Sequence, residues 1–325
     1  TVYGGQESAL LERLRQAGVV VVTTRLARLR DSNPLYSVSW RTGLRAWPRG
    51  WGPRLLNPFG RGQVPLSSYF ELMNFKANHR KTLVADRDGE LVGLVSSANP
   101  HDGSSAHHNV ALEFTGPAAG DLLASEAAVC GWSGQPVPES LWETGEEPDG
   151  AGAVRVRILT EKSIERACLE LIRESQPGDR LDLAMFYLSS RPVIRALVGA
   201  HARGVRLRVL LDPNKDAFGI EKNGIPNRPV GEELVQAGVA VRWAQTHGEQ
   251  FHTKLIRRRP VAGPEAVILG SANYTRRNLD NYNLETCVQL QGAGDARVFG
   301  DIDGYFELVW NNAGGRSISA EYSHY

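Results

Sequence analysis

Two periods of hydrophobic and polar residues alternate along this chain, and they divide it into predicted elements. Residues 154–159, 181–187 and 205–211 are mostly apolar, too short for helices, and predict strands, 181–187 a buried one. Between them, 160–175 and 192–203 carry apolar residues at helical spacing, with Thr160 and Pro192 at the predicted starts. Strands alternating with helices predict a mainly parallel sheet with helices on both faces. Upstream, 7–17 predicts a helix and 18–24 a strand. Residues 80–87 and 91–97 alternate as strands around the turn pair Asp88-Gly89. Residues 109–115 add a strand and 120–130 a helix. The stretch 131–153 is rich in Pro, Gly and acidic residues and reads as a linker. It separates an N-terminal half, 1–130, from a C-terminal half, 154–325.

The halves repeat one another. His79-Arg80-Lys81 is followed by Ser96-Ser97-Ala98-Asn99, and Phe251-His252-Thr253-Lys254 by Gly270-Ser271-Ala272-Asn273. From each His to the Ser before Ala-Asn the step is 18 residues in the first copy and 19 in the second. Each copy then reaches a Leu-Glu pair, Leu112-Glu113 and Leu284-Glu285, and a helix–Gly–strand pattern at 7–22 resembles 231–241. A repeat of this extent means two copies of one supersecondary unit. The second copy has further strands and helices ahead of the shared helix, so the repeat predicts that about 75 to 80 residues precede Thr1. These are expected to be cleaved, disordered or carried on a separate chain.

The repeated residues suit phosphate chemistry. A phosphodiester repels nucleophiles and has a poor leaving group, so cleavage needs a nucleophile, a proton donor and groups that hold the phosphoryl oxygens. Of two histidines, one attacks phosphorus and the other protonates the departing oxygen, then activates water or an alcohol. Lys81 and Lys254, two residues beyond their His on a strand, share its face and supply cations. Asn99 and Asn273 offer amide donors, and Ser97 and Ser271 offer hydroxyls toward the substrate. Glu113 and Glu285 are expected each to accept a ring N–H and fix a histidine's tautomer. This chemistry calls for no metal or other cofactor.

Composition narrows the field. At 325 residues and 42% hydrophobic, the chain is large enough for a substantial core, as one domain or two. A net charge of +1 confines any polyanion contact to local patches. Three cysteines, Cys130, Cys168 and Cys287, are an odd number without metal-like spacing and read as free thiols. No apolar run is long enough to span a bilayer, and no secretory pattern opens the chain. A targeting or membrane segment is expected, if anywhere, among the residues ahead of Thr1. Between 25 and 70 the periodicity dissolves into Arg41, Arg45, Arg49, Arg54 and Arg61 set among Trp40, Trp47, Trp51 and Phe59. Rings and cations together suit a lipid headgroup boundary. A plain lid is the second reading and single-stranded nucleic acid the third. Trp40, Trp47 and Trp51 are therefore candidate substrate contacts. Asp212, just after a strand, is another, because ligands in such sheets bind beyond the strand ends. His107 and His108 are expected in a surface turn, with pocket lining the alternative.

The paired motifs resemble the HxKxxxxD…GSxN signature of the phospholipase D superfamily, and within it the bacterial cardiolipin-synthase-like branch. His79, Lys81, Asp86, Ser97 and Asn99 match the first copy, with Ser96 at the usual Gly. His252, Lys254, Gly270, Ser271 and Asn273 match the second, with Arg259 at the Asp position. The resemblance covers 7 to about 310. It implies an α/β fold of two pseudo-symmetric halves with mixed, mainly parallel sheets flanked by helices, the first half truncated at its N-terminus. It places the active site at the interface of the halves, with His79 as nucleophile and His252 as acid and base.

The implied function is a phospholipid phosphodiesterase working through a phosphohistidine, by hydrolysis or by phosphatidyl transfer. Its partners are phospholipid and a membrane surface, and its expected localisation is membrane-associated and peripheral. The alternatives are a metal-independent nuclease of the same superfamily, with nucleic acid as partner, and a non-catalytic lipid- or phosphate-binding protein.

Overall fold

The computed structural model describes residues 9–31, 38–39, 42–43, 51–56, 62–73, 76–100, 102–138, 153–217, 220–221, 223–315 and 317–324. Trp40, Trp47 and most of the expected linker lie outside them. The chain forms two compact units, Thr1–Asn78 with Ser125–Leu141, and His79–Ala124 with Trp142–Tyr325. Compactness thus groups the first His-x-Lys motif with the second rather than with the residues before it.

The first unit holds a helix Ala9–Gln16, a hairpin of β1 (Arg54–Leu56) and β2 (Gln63–Pro65), and a helix Leu66–Met73. Trp51 stacks on Phe70 with ring centroids 6.3 Å apart, and Lys76 pairs with Asp31 at 2.5 Å. Residues 18–24, expected as a strand, join no sheet; Val20 is 80% exposed. A β-branched run makes an extended segment, but only a neighbouring strand makes it part of a sheet.

In the second unit β3 (Thr82–Arg87), β4 (Glu90–Ser96) and β5 (Ala111–Thr115) form an antiparallel sheet in that order. Asp88 and Gly89 both take positive φ, the conformation that a tight hairpin between twisted strands requires. The larger sheet draws on β6 (Val154–Thr160), β7 (Arg180–Met185), β8 (Arg206–Leu211), β11 (Ala240–Ala244), β12 (Lys254–Arg259), β13 (Glu265–Gly270), β14 (Thr286–Gly292) and β15 (Ser319–Glu321). Its order is β15-β11-β8-β7-β12-β13-β14-β6, and β9 (Asp216–Ala217) with β10 (Ile220–Glu221) is a separate small hairpin.

The mixed α/β architecture is as expected, but the mainly parallel pairing is not. Only β7–β8 and β8–β11 run parallel in this sheet. Parallel neighbours need a long crossover, and here the helices Arg191–Ala202 and Asn227–Gln236 supply one for each pair. From β12 to β13 the connection is a short turn, and short turns leave strands antiparallel.

Alternate residues of the central strands feed two cores. Ile256, Ile268 and Leu183 pack with Ile164 and Leu171 of the helix Lys162–Arg173 and Leu197 of Arg191–Ala202. On the other face Leu255, Val267 and Val288 pack with Phe299, Phe306 and Val309 of the helix Arg297–Asn311. Val95 of β4 and Phe114 of β5 join that second core, so the small sheet is anchored to the large one. Each fully buried aliphatic side chain contributes about 1.5–3 kcal/mol. The result is a stiff base under the strand ends that carry the motifs.

Candidate active site

Both histidines lie in the few residues that lead into a strand, His79 before β3 and His252 before β12. His79 is tied to the second copy through its backbone, its N–H donating to Leu284 O at 2.8 Å. Its ring Nδ1 lies 2.9 Å from Glu285 Oε2. The corresponding contact of His252 is with Asn109, its Nδ1 lying 3.2 Å from Asn109 Oδ1. Each imidazole is therefore held by an acceptor from the other copy.

The supports repeat bond for bond. Ser271 Oγ donates to Glu285 Oε2 at 2.5 Å and accepts from Thr286 N–H at 3.0 Å. Ser97 Oγ donates to Asn109 Oδ1 at 3.1 Å and accepts from Val110 N–H at 3.0 Å. The lysines match as well, Lys81 Nζ donating to His79 O at 2.6 Å and Lys254 Nζ to His252 O at 2.7 Å.

Several predicted roles change. Glu113 reaches no histidine; it is half exposed and pairs with Arg87 at 2.8 Å. Asn109 takes the place assigned to it, because the loop from the Ser to the acceptor spans 12 residues in the first copy and 14 in the second. Ser97 and Ser271, expected to touch substrate, are 0% exposed and turn their hydroxyls inward to the acceptors. Asp212 is 2% exposed, and its carboxylate accepts from Asn214 N–H at 2.6 Å and Phe251 N–H at 2.7 Å. It is a strut beneath the second motif, not a rim contact. Trp51 belongs to the first unit.

The amides sit differently from one another. Asn99 is partly exposed and its backbone N–H is held by Ser104 Oγ at 3.0 Å. Asn273 is 7% exposed, and its buried Oδ1 has no partner among the described residues. Gly270 has φ +152°, and a Cβ there would sit 2.5 Å from Thr286 O. Only glycine lets β13 turn out of the sheet so close to β14.

Residues outside the motifs complete the cluster. Phe186, at the end of β7, meets His252 edge-on with ring centroids 4.8 Å apart and lies 4.9 Å from Lys254 Nζ. His107 is 6.0 Å from His252, and its Nδ1 accepts from Gln250 N–H at 3.1 Å. His107 thus belongs with the second motif rather than in a surface turn. Phe186 ends an apolar run in the sequence, and nothing there marked it as other than core.

The charges explain what the cluster wants. Burial pulls the Lys81 amine down to about 8, with Glu285 acting partly against it. Burial first and then the Lys81 charge hold Lys254 well below its ordinary value. His252 is held well below the usual imidazole range by burial, then by Lys254, Lys81, His79 and His107. Four bases crowded around His252 in a desolvated place favour an anion among them. Inorganic phosphate is accordingly expected to bind, and to weaken as pH rises through about 8, where Lys81 gives up its proton. A calorimetric titration across that range reads the effect; an affinity unchanged from pH 7 to about 9.5 would contradict it.

Arg259 does not disturb this arrangement. It lies five residues along β12 from Lys254, about 16 Å at strand rise. There it pairs with Asp303 at 3.2 Å, in a network that also holds Arg257 and Arg180.

Comparison with known proteins agrees with the geometry. Residues 168–310 match the family described as cardiolipin synthase, PLD-like domain. The mitochondrial cardiolipin hydrolase of Canis lupus familiaris is 29% identical over 172 residues, 52% of this chain and 60% of that protein. Its Homo sapiens counterpart is 31% identical over 130 residues, 40% of this chain and 45% of that one. The chain thus spans about half the length of these curated relatives. Phosphatidylserine synthase of Haemophilus influenzae Rd KW20 superposes with a TM-score of 0.50 at 12% identity, covering 72% of this chain and 63% of that one, a likeness of fold. With two His-x-Lys motifs meeting in one cluster and a PLD-like family domain matched over residues 168–310, the second half of this chain is similar to members of the phospholipase D superfamily.

Proposed function

We propose that this chain is a phosphodiesterase acting on phospholipids through a covalent phosphohistidine. The observation that carries the reading is the fixed orientation of both imidazoles, each with Nδ1 on an acceptor and with no hydrogen bond to Nε2 among the described residues. His79 is assigned the attack. Its Nε2 lone pair forms a bond to phosphorus, and the positive charge that develops on the ring is balanced by Glu285 at Nδ1. The P–O bond to the leaving group breaks, and His252 Nε2–H transfers its proton to the departing oxygen. His252, now neutral, takes a proton from water or an alcohol, whose oxygen attacks phosphorus and releases His79. Lys81, Lys254, Asn99 and Asn273 hold the non-bridging oxygens.

Hydrolysis and phosphatidyl transfer differ only in the second acceptor. The cardiolipin hydrolases among the relatives make cardiolipin the first substrate to try. Association with a lipid surface is assigned to the Trp- and Arg-rich residues 25–70, since no described helix is long and apolar enough to cross a membrane. The test is incubation with vesicles of cardiolipin or phosphatidylglycerol, with and without a primary alcohol, followed by mass analysis of the products. Phosphatidic acid, together with phosphatidylglycerol released from cardiolipin or glycerol released from phosphatidylglycerol, means hydrolysis, and the phosphatidyl ester of the added alcohol means transfer. If neither forms, and bis(4-nitrophenyl) phosphate is also untouched, the enzymatic reading fails.

A further inference from the structure

The two supports differ in one respect: a carboxylate holds His79 and an amide holds His252. Asn109 is fully engaged. Its Nδ2 donates to Ser104 O at 2.9 Å and His107 O at 3.1 Å. Its Oδ1 accepts from Ser97 Oγ at 3.1 Å and faces His252 Nδ1 at 3.2 Å. Two carbonyl acceptors on the nitrogen side leave no choice of amide orientation, so the oxygen must face the ring. His252 Nδ1 is then the donor, and the neutral ring carries its proton there with Nε2 bare.

We propose that Asn109 is a positioning residue for His252, locking its Nδ1–H tautomer while withholding the negative charge that would hold an imidazolium. A carboxylate in this place would raise the ring's proton affinity; a neutral amide orients without doing so. The groups around the ring act in the same direction. Lys254 stands on its own strand, His79 and Lys81 lead into β3, His107 precedes β5, and Phe186 closes the side from β7. Glu285 and Asp212 are the nearby acids, and they are engaged with His79 and with the Phe251 amide. His252 therefore rests neutral, takes up its proton when a phosphodiester anion enters, and gives it back as a strong acid. His79, with a carboxylate behind it, keeps its positive charge through the covalent stage. The consequence for catalysis rests on the phosphodiester reading above; the tautomer and the proton affinity do not.

The test is histidine-selective 15N NMR of the whole chain, with His252 assigned by comparison with H252N. In the unmodified protein the neutral ring is expected to show the Nδ1–H tautomer. N109D is expected to move the His252 titration midpoint upward by about one to three pH units. N109L is expected to abolish the single tautomer. An Nε2–H ring in the unmodified protein, or a midpoint unmoved in a folded N109D, overturns the proposal. Should N109D fail to fold, the tautomer in the unmodified protein still decides. Turnover of bis(4-nitrophenyl) phosphate is read in parallel. Its absence in the unmodified protein counts against the enzymatic reading and leaves the NMR result to judge Asn109 independently.

Discussion

Replacing His79 by Ala is expected to lower phosphodiester turnover at least about 10⁴-fold, because the proposed covalent route loses its nucleophile. Replacing His252 by Ala is expected to behave differently according to the leaving group. An alkoxide needs a proton as it departs, so a lipid substrate loses about 10²–10⁴-fold. A 4-nitrophenolate needs none, so a nitrophenyl diester still phosphorylates His79 once. The product then stalls, since no base remains to activate water. Rapid-mixing kinetics of the His252 variant should show a burst of one nitrophenolate per chain followed by near silence. The His79 variant should show no burst. A burst from the His79 variant would reverse the assigned roles.

The second large effect is expected at Glu285. This carboxylate is fully buried and accepts from Ser271 Oγ at 2.5 Å and Asn278 Nδ2 at 2.5 Å while facing His79. Burial alone would raise its pKa, but the charge and hydrogen bond of His79, with those from Ser271 and Asn278, hold it below the ordinary 4.5. Glu285→Ala leaves two buried donors, Ser271 Oγ and Asn278 Nδ2, without their acceptor, at about 1–3 kcal/mol each, and is expected to destabilise the fold. Glu285→Gln keeps the shape but removes the charge behind the phosphohistidine and can present N–H to the ring. Activity should fall about 10²–10⁴-fold with the fold retained, as when a triad's acid becomes an amide.

The pH dependence of stability gives a check on the same carboxylate. A carboxyl with a depressed folded pKa stabilises the fold above its unfolded value and loses that contribution as pH falls through the folded value. Unmodified protein should therefore lose stability on acidification below about 4.5, and the Gln variant should lose less there. Urea unfolding at pH 7 and about pH 3.5 measures both.

How much of this was legible in the chain depended on what each residue leaves in a sequence. His79, Lys81, His252 and Lys254 carry distinctive chemistry at a repeated spacing, so the cluster could be named before any fold was known. Glu285, expected to face a histidine ring, lies 2.9 Å from His79 Nδ1. Glu113 reaches no ring, because the Leu-Glu pairs of the sequence are not equivalent in the fold: the backbone aligns Val110 with Thr286 through the serine hydroxyls. Asn109 carries no charge and sits in a loop two residues shorter than its equivalent. Ser97, Ser271 and Asp212 were recognised as belonging to the site but given the wrong direction, since spacing does not tell whether a side chain faces a ligand or a neighbour. The strands themselves followed from periodicity. Their pairing did not, because direction depends on whether a connection is a helix or a short turn. Helices Arg191–Ala202 and Asn227–Gln236 produced the parallel pairs, and the turn between β12 and β13 produced an antiparallel one.

The proposed chemistry requires both motifs to grip one anion. Crystals grown with tungstate, a phosphate-shaped and strongly scattering ion, read this directly. The expected result is a single ion whose oxygens lie about 3 Å from Nε2 of His79, Nε2 of His252, and the amines of Lys81 and Lys254 together. Two ions in separate places, or one ion held by a single motif, would contradict it.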